Sequence, residues 1–179
     1  MAPKSITRAT KLCLLLLVTM FIYSSAEVGQ LKETNMTLYL QDRSAGPNAT
    51  VVPVTGIPGR LWTFSSFGTM FCSDDPITVG FDKTSAQIGR VQGIFVTSAL
   101  DGSSTHVSVS IVFTNATYNG STIQIQGASR QFESVREVAV VGGTGIFRYA
   151  RGYATFETIY LDTLISYAVI RCNVTVLYY

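Results

Sequence analysis

The chain has 179 residues, 47% hydrophobic and only 13% charged, with a formal net charge of +2. Charge this sparse argues against a basic nucleic-acid-binding surface, and hydrophobicity this high against a disordered tail. A single histidine leaves no histidine-based metal cluster, and no metal or cofactor is expected.

The amino terminus reads as a secretory signal peptide over residues 1–26. Lys4, Arg8 and Lys11 make a basic start, Leu12 to Tyr23 is almost wholly apolar, and Ser24-Ser25-Ala26 offers small residues for cleavage. The apolar run is nearer 12 residues than the roughly 20 that span a bilayer, so no membrane anchor is expected. Its removal leaves residues 27–179 with ten basic against eleven acidic side chains, close to −1. That length suits one domain with a sizeable core. Cys13 leaves with the leader. Secretion permits a bridge between Cys72 and Cys172, but sequence does not show whether their Cα atoms meet.

From Asn35 onward no window has a convincing helical period, and β-rich runs alternate with turn chemistry. Met36 to Arg43 is the first run, Leu61 to Cys72 follows Gly-Ile-Pro-Gly, and Val91 to Leu100 follows Gly89. Val107, Val109, Ile111 and Phe113 then alternate with His106, Ser108 and Ser110. Beyond Tyr118-Asn119-Gly120, Ile123 and Ile125 alternate with Thr122, Gln124 and Gln126. Val135 to Val141 leads into Gly142, Gly143 and Gly145, and Arg148 to Ile159 and Leu164 to Tyr178 complete the set. No lysine and no helix follow these glycines, so they predict a strand-to-strand turn rather than a phosphate cradle. About eight antiparallel strands result. They can close a barrel that holds one small ligand or stack as a two-sheet sandwich, and the pattern leaves both open. The last strand is apolar on both faces, which suits one face in the barrel and the other against a second subunit.

Five Asn-x-Ser/Thr sequons occur. Asn35 and Asn48 lie near turns, Asn115 and Asn119 crowd one hairpin, and Asn173, inside the last strand, is the least favoured for a glycan. Two charged residues stand out. Asp42 shares strand parity with Met36, Leu38 and Leu40, and Arg136 with Val138 and Val140. An inward carboxylate would have a raised pKa useful for acid–base work; the plainer reading puts both residues at strand ends facing water. His106 falls on a polar face, and no nucleophile-elbow motif appears.

The stretch VVGGTGIFRYARGYATF from Val140 resembles the signature of the plant dirigent proteins. LYLQDRSAGPNAT from Leu38, FSSFGTMFCSDDPIT from Phe64, IGRVQG from Ile88 and VIRCNVTVLYY from Val169 support it across nearly the whole mature chain. The resemblance implies an eight-stranded antiparallel β-barrel, assembled as a homo-oligomer, trimer or dimer. It implies that Asp42 and Arg136 are catalytic and that Phe95, Thr97, Ser129 and Thr158 line the pocket. Gln41-Asp42 stands where the family usually has His-Asp. Ser129 stands where pinoresinol-forming members carry a second aspartate, and Phe95 and Thr97 where they carry tyrosines. Only part of the lignan-type pocket is therefore matched. The chain looks more like the branch that includes pterocarpan-forming members.

Three functions follow as expectations. In the first, the barrel guides stereoselective coupling of phenoxy radicals generated by a separate oxidase of laccase or peroxidase type. In the second, it is a lyase that dehydrates a hydroxyisoflavan and closes a ring through a quinone methide. In the third, it is a cell-wall module that binds a phenolic or a sugar without chemistry. All three place the protein in the apoplast, with glycans expected at Asn35, Asn48, Asn115 and Asn119.

Overall fold

The computed structural model describes residues 8–26 and 29–179, with side chains from 21 to 26 left undescribed. Lys4, with the rest of the first seven residues, and Glu27 at the expected cleavage point lie outside the described residues. Arg8–Ala26 forms a helix, α1. Among the described residues no helix is long and apolar enough to cross a membrane.

The remainder is antiparallel sheet: β1 (Lys32–Arg43), β2 (Val51–Thr55), β3 (Met70–Thr78), β4 (Gln87–Thr97), β5 (Ser104–Phe113), β6 (Thr122–Arg130), β7 (Arg136–Thr144), β8 (Arg151–Asp162) and β9 (Tyr167–Tyr178). Each of β3 to β8 pairs with the next, β9 returns to β1, and β1 pairs with β3 at Tyr39↔Thr78 and Leu40↔Ile77. Eight strands thereby close a barrel, and β2 is an extra strand along Met70–Ser73 of β3. The sandwich alternative is gone.

Closure follows from alternation. Leu38 and Leu40 of β1, Ile111 and Phe113 of β5, Val138 and Val140 of β7, and Cys172, Val174 and Val176 of β9 all point into one core. The lower end of that core is plugged by rings: Phe147 lies 5.6 Å from Phe113, 5.2 Å from Tyr118 and 5.1 Å from Tyr178, centroid to centroid. Phe147 is fully buried by the turn that the glycine cluster predicts. Gly145, at φ 60, opens a short 3-10 turn over Gly145–Phe147, and only after Ala150 does β8 begin.

Strand limits differ most from the sequence expectations at β2 and β3, while other ends shift by three or four residues: β1 begins at Lys32, β4 at Gln87, β8 at Arg151 and β9 at Tyr167. Leu61 to Thr69 is loop rather than strand, and β3 instead runs on through Asp74-Asp75-Pro76. Pro76 faces outward in the barrel wall, where β4 and β1 hold the strand extended on either side. The short β2 had no alternation long enough to find. Cys72 is exposed on β3 and Cys172 fully buried on β9, and both are free.

Candidate functional site

The inward rows change character toward the upper end of the barrel, where β1, β4 and β6 finish and β3, β5 and β7 begin. Aliphatic side chains give way to Asp42 on β1, Ser73 and Asp75 on β3, Thr105 on β5, Ser129 on β6 and Arg136 on β7. They line a cavity of about 170 Å³, with Leu40, Val91, Phe95, Val107, Phe156 and Ile170 as apolar walls and with Phe64 and Gln131 at its mouth. A cavity near 150 Å³ takes up a benzene ring, so this one suits a single aromatic ring, with the rest of a guest at the mouth.

Two carboxyls face this space. Asp42 is largely buried, accepts no hydrogen bond from the described residues, and is pushed by burial from 3.8 up to about 6. Asp75 is 4% exposed. Burial and then the neighbouring charge of Asp42 push it up to about 7, although the Thr50 hydroxyl donates to its Oδ1. The register that sets Leu40 beside Ile77 brings Asp42 level with Asp75 two residues on. Two like charges at one dry site resist joint ionisation, so near neutrality the pair retains a proton.

Arg136 faces them as the cation. Its Nη2 donates to Thr158 Oγ1 at 3.0 Å and its Nε to the Phe156 carbonyl at 3.4 Å, which fixes the guanidinium without a carboxylate partner. Burial lowers its pKa, so a negative guest would be welcome there.

One wall is aromatic. Phe64, Phe71 and Phe95 lie nearly parallel, with centroids 4.5 Å apart for Phe64 and Phe71, 5.0 Å for Phe71 and Phe95, and 6.2 Å for Phe64 and Phe95. Phe64 belongs to the loop after β2, and its carbonyl accepts from Thr97 Oγ1 and Gln131 Nε2, both at 2.7 Å. Gln131 also donates to the Gly102 carbonyl at 3.0 Å, tying three loops together at the rim.

Asp42, Arg136, Phe95 and Ser129 therefore meet at one cavity. Thr97 and Thr158 do not line it: Thr97 is fully buried and anchors the Phe64 loop, and Thr158 holds Arg136. Asp75, Thr50, Phe64 and Gln131 escaped the sequence reading. For Asp75 a signal existed, because it shares parity with Phe71, Ser73 and Ile77, but that depended on a strand drawn too early. Thr50 and Gln131 lie in loops, where no periodicity points inward. Among the described residues no three His, Cys, Asp or Glu side chains gather as a metal-binding set.

Residues 33–177 match the family model for "Dirigent-like protein". The chain is 36% identical to Dirigent protein 1 of Arabidopsis thaliana over 87% of its own length and 90% of that protein's. It is 34% identical to Pterocarpan synthase 1 of Glycine max, covering 82% of this chain and 79% of the relative. A solved pterocarpan synthase dirigent protein superposes with a TM-score of 0.77 at 33% identity, covering 86% of this chain and 88% of that one.

Proposed function

The chain belongs to the dirigent family, and from that premise we propose that its cavity holds one phenolic guest and sets the stereochemistry of a step passing through a quinone methide. The observation that carries this is the pair of proton-retaining carboxyls, Asp42 and Asp75, facing the Arg136 guanidinium across a ring-sized cavity. The form best suited to that geometry is dehydrative ring closure. A protonated Asp42 or Asp75 gives its proton to a benzylic hydroxyl as the C–O bond breaks and water leaves. The guest's conjugated ring hydroxyl, held as a phenolate by Arg136, drives this cleavage to the quinone methide, and the phenolate returns when an internal phenol oxygen closes on the exposed carbon. The proton it sheds restores the carboxyl. Similarity to pterocarpan synthases supports this reading without fixing the substrate.

Guidance of phenoxy-radical coupling is the second reading, favoured by one feature. Phe64 remains 42% exposed at the mouth, leaving a face on which a second ring can stack. There the protein would orient two radicals made by a separate laccase or peroxidase. The setting we propose for either reading is extracellular, on the strength of the amino-terminal leader pattern.

Chiral chromatography of products formed with and without added oxidase separates the two. Pterocarpan-type product from a hydroxyisoflavan without oxidase supports ring closure. A shifted enantiomer ratio from coniferyl alcohol only with oxidase supports guidance. Unchanged outcomes in both arms refute both.

A further inference from the structure

The outer surface where β1 lies against β9 carries an arrangement that neither phenolic reading uses. Asn35-Met36-Thr37 on β1 and Asn173-Val174-Thr175 on β9 are sequons, and the register sets Asn35 against Thr175 and Thr37 against Asn173. Each threonine serves the other sequon's asparagine: Thr175 Oγ1 donates to Asn35 Oδ1 at 2.7 Å, and Thr37 Oγ1 to Asn173 Oδ1 at 2.9 Å. Both asparagines are exposed, because their neighbours Met36, Cys172 and Val174 take the inward positions. On the next strand Tyr153 stands beside Thr175, and Thr155 beside Asn173. Tyr153 is 45% exposed and offers an open ring face within the same patch.

We propose that this β1–β9–β8 face is a single N-glycan seat served by two sequons, filled at Asn35 and taken over by Asn173 when Asn35 is absent. In the transfer, asparagine Nδ2 attacks the anomeric carbon of a lipid-linked pyrophosphoryl oligosaccharide. The N–C bond forms as the C–O bond to pyrophosphate breaks, and Nδ2 gives up one of its two protons. The ladder tolerates this change. Asn35 Oδ1 still accepts from Thr175, and the remaining N–H can still donate to Glu33 Oε1, which Nδ2 contacts at 3.0 Å.

Three arguments make it one seat rather than two. The asparagines are diagonal neighbours on adjacent strands, about 7–8 Å apart, too close for two branched glycans to lie on the same surface. Tyr153 is the exposed ring within reach of both, one strand from Asn173 and two strands, roughly 10 Å, from Asn35. The apolar face of the first N-acetylglucosamine can stack on that ring, as aromatic side chains do with C–H-rich partners. Transfer to either asparagine has to precede pairing of β1 with β9, because the closed ladder holds both sequons extended; Asn35 emerges first, so its glycan is already in place when Asn173 follows, and without it Asn173 meets an empty face. A seat here would leave the outer face of β9 sugar-covered rather than in a subunit contact.

The test expresses the full chain in plant cells, alongside N35Q, N173Q, N35Q/N173Q, Y153A and Y153F. Occupancy is read by mass spectrometry after enzymatic deglycosylation in ¹⁸O water, and Tm before and after it. Wild type should carry sugar at Asn35 and none at Asn173, and N35Q should move it to Asn173. Deglycosylation should lower Tm by about 2–4 °C more in wild type and Y153F than in Y153A or N35Q/N173Q, the size one favourable contact gives in a domain this long. Both asparagines occupied in one molecule, neither occupied, a bare Asn173 in N35Q, or a Tm difference indifferent to Tyr153 would each overturn the proposal.

Discussion

Replacing Asp75 with asparagine should stabilise the fold at neutral pH and leave it nearly unchanged in acid. In the native barrel the Asp75 carboxyl is raised from 3.8 to about 7 by burial and by the charge of Asp42. A group raised on folding contributes stability that is complete below its unfolded pKa and lost as pH climbs through the folded one. Wild-type stability should therefore decline between about pH 4 and 7. Each unit of difference is worth about 1.4 kcal/mol, and three units set a ceiling near 4 kcal/mol. Sharing one proton with Asp42 and wetting at the mouth bring the expected effect to about 2–4 kcal/mol. Asp75→Asn has almost the same shape, carries no charge at any pH, and keeps an oxygen to accept from Thr50. In a domain of this size each kcal/mol moves Tm by about 2–4 °C, so the variant should melt roughly 5–15 °C above wild type at pH 8 and within a few degrees of it at pH 4.5. Thermal and urea unfolding at pH 4.5, 6 and 8 read the difference directly. A gap that stays constant across that range would refute the reasoning, because it would mean that Asp75 ionises no differently in the folded protein.

Asp42→Asn should slow ring closure by about 10²–10⁴-fold, the usual worth of a positioned acid, with Kd for a phenolic guest changed far less; equal loss in both would assign Asp42 to binding. Cys72 should react with a thiol reagent in the native state, while Cys172, buried and pushed up to about 12, should react only on unfolding. A Cys72–Cys172 disulfide found by mass spectrometry would contradict the placement of one thiol on the wall's outer side and the other in the core. Phe64→Ala should erode product enantiomeric excess more than turnover, since it removes a wall rather than a proton; an unchanged excess would show that the ring stack does not orient the guest.

The barrel was legible because its cause is repetitive. Ile123 and Ile125 against Thr122, Gln124 and Gln126, or Val109 and Ile111 against Ser108 and Ser110, expose a two-residue period that any reader can count. Closure was not in that period. It depends on two residues of β1 meeting two of β3, a contact spanning nearly 40 positions, and only resemblance supplied it. Site residues divided the same way. Asp42 and Arg136 interrupt apolar rows and so announced themselves, whereas Asp75 fell beyond the expected Leu61 to Cys72 strand. Asp74 itself faces out and pairs with Arg90. Thr97 and Thr158, which the resemblance puts in the pocket, sit one layer behind it, where Thr97 anchors the Phe64 loop and Thr158 holds Arg136.

The two phenolic readings make opposite demands on the same proton. Dehydration needs a carboxyl that still carries one when the benzylic hydroxyl departs. Rearomatisation after radical coupling needs a carboxylate ready to take one. Asp42 near 6 and Asp75 near 7 sit where either role is open, and their ionisation reverses which chemistry the cavity favours. If the protein closes rings, kcat/KM should be flat in acid and fall as pH rises through about 6–7, roughly tenfold per unit once the acid form is the minor one. If it guides coupling, stereochemical excess should instead grow over that interval while oxidase-limited consumption stays the same. Rates measured in matched buffers from pH 4.5 to 8.5, repeated with Asp75→Asn to leave Asp42 alone, decide the direction. A profile flat in both quantities would remove the two carboxyls from the chemistry and leave the cavity a binding site.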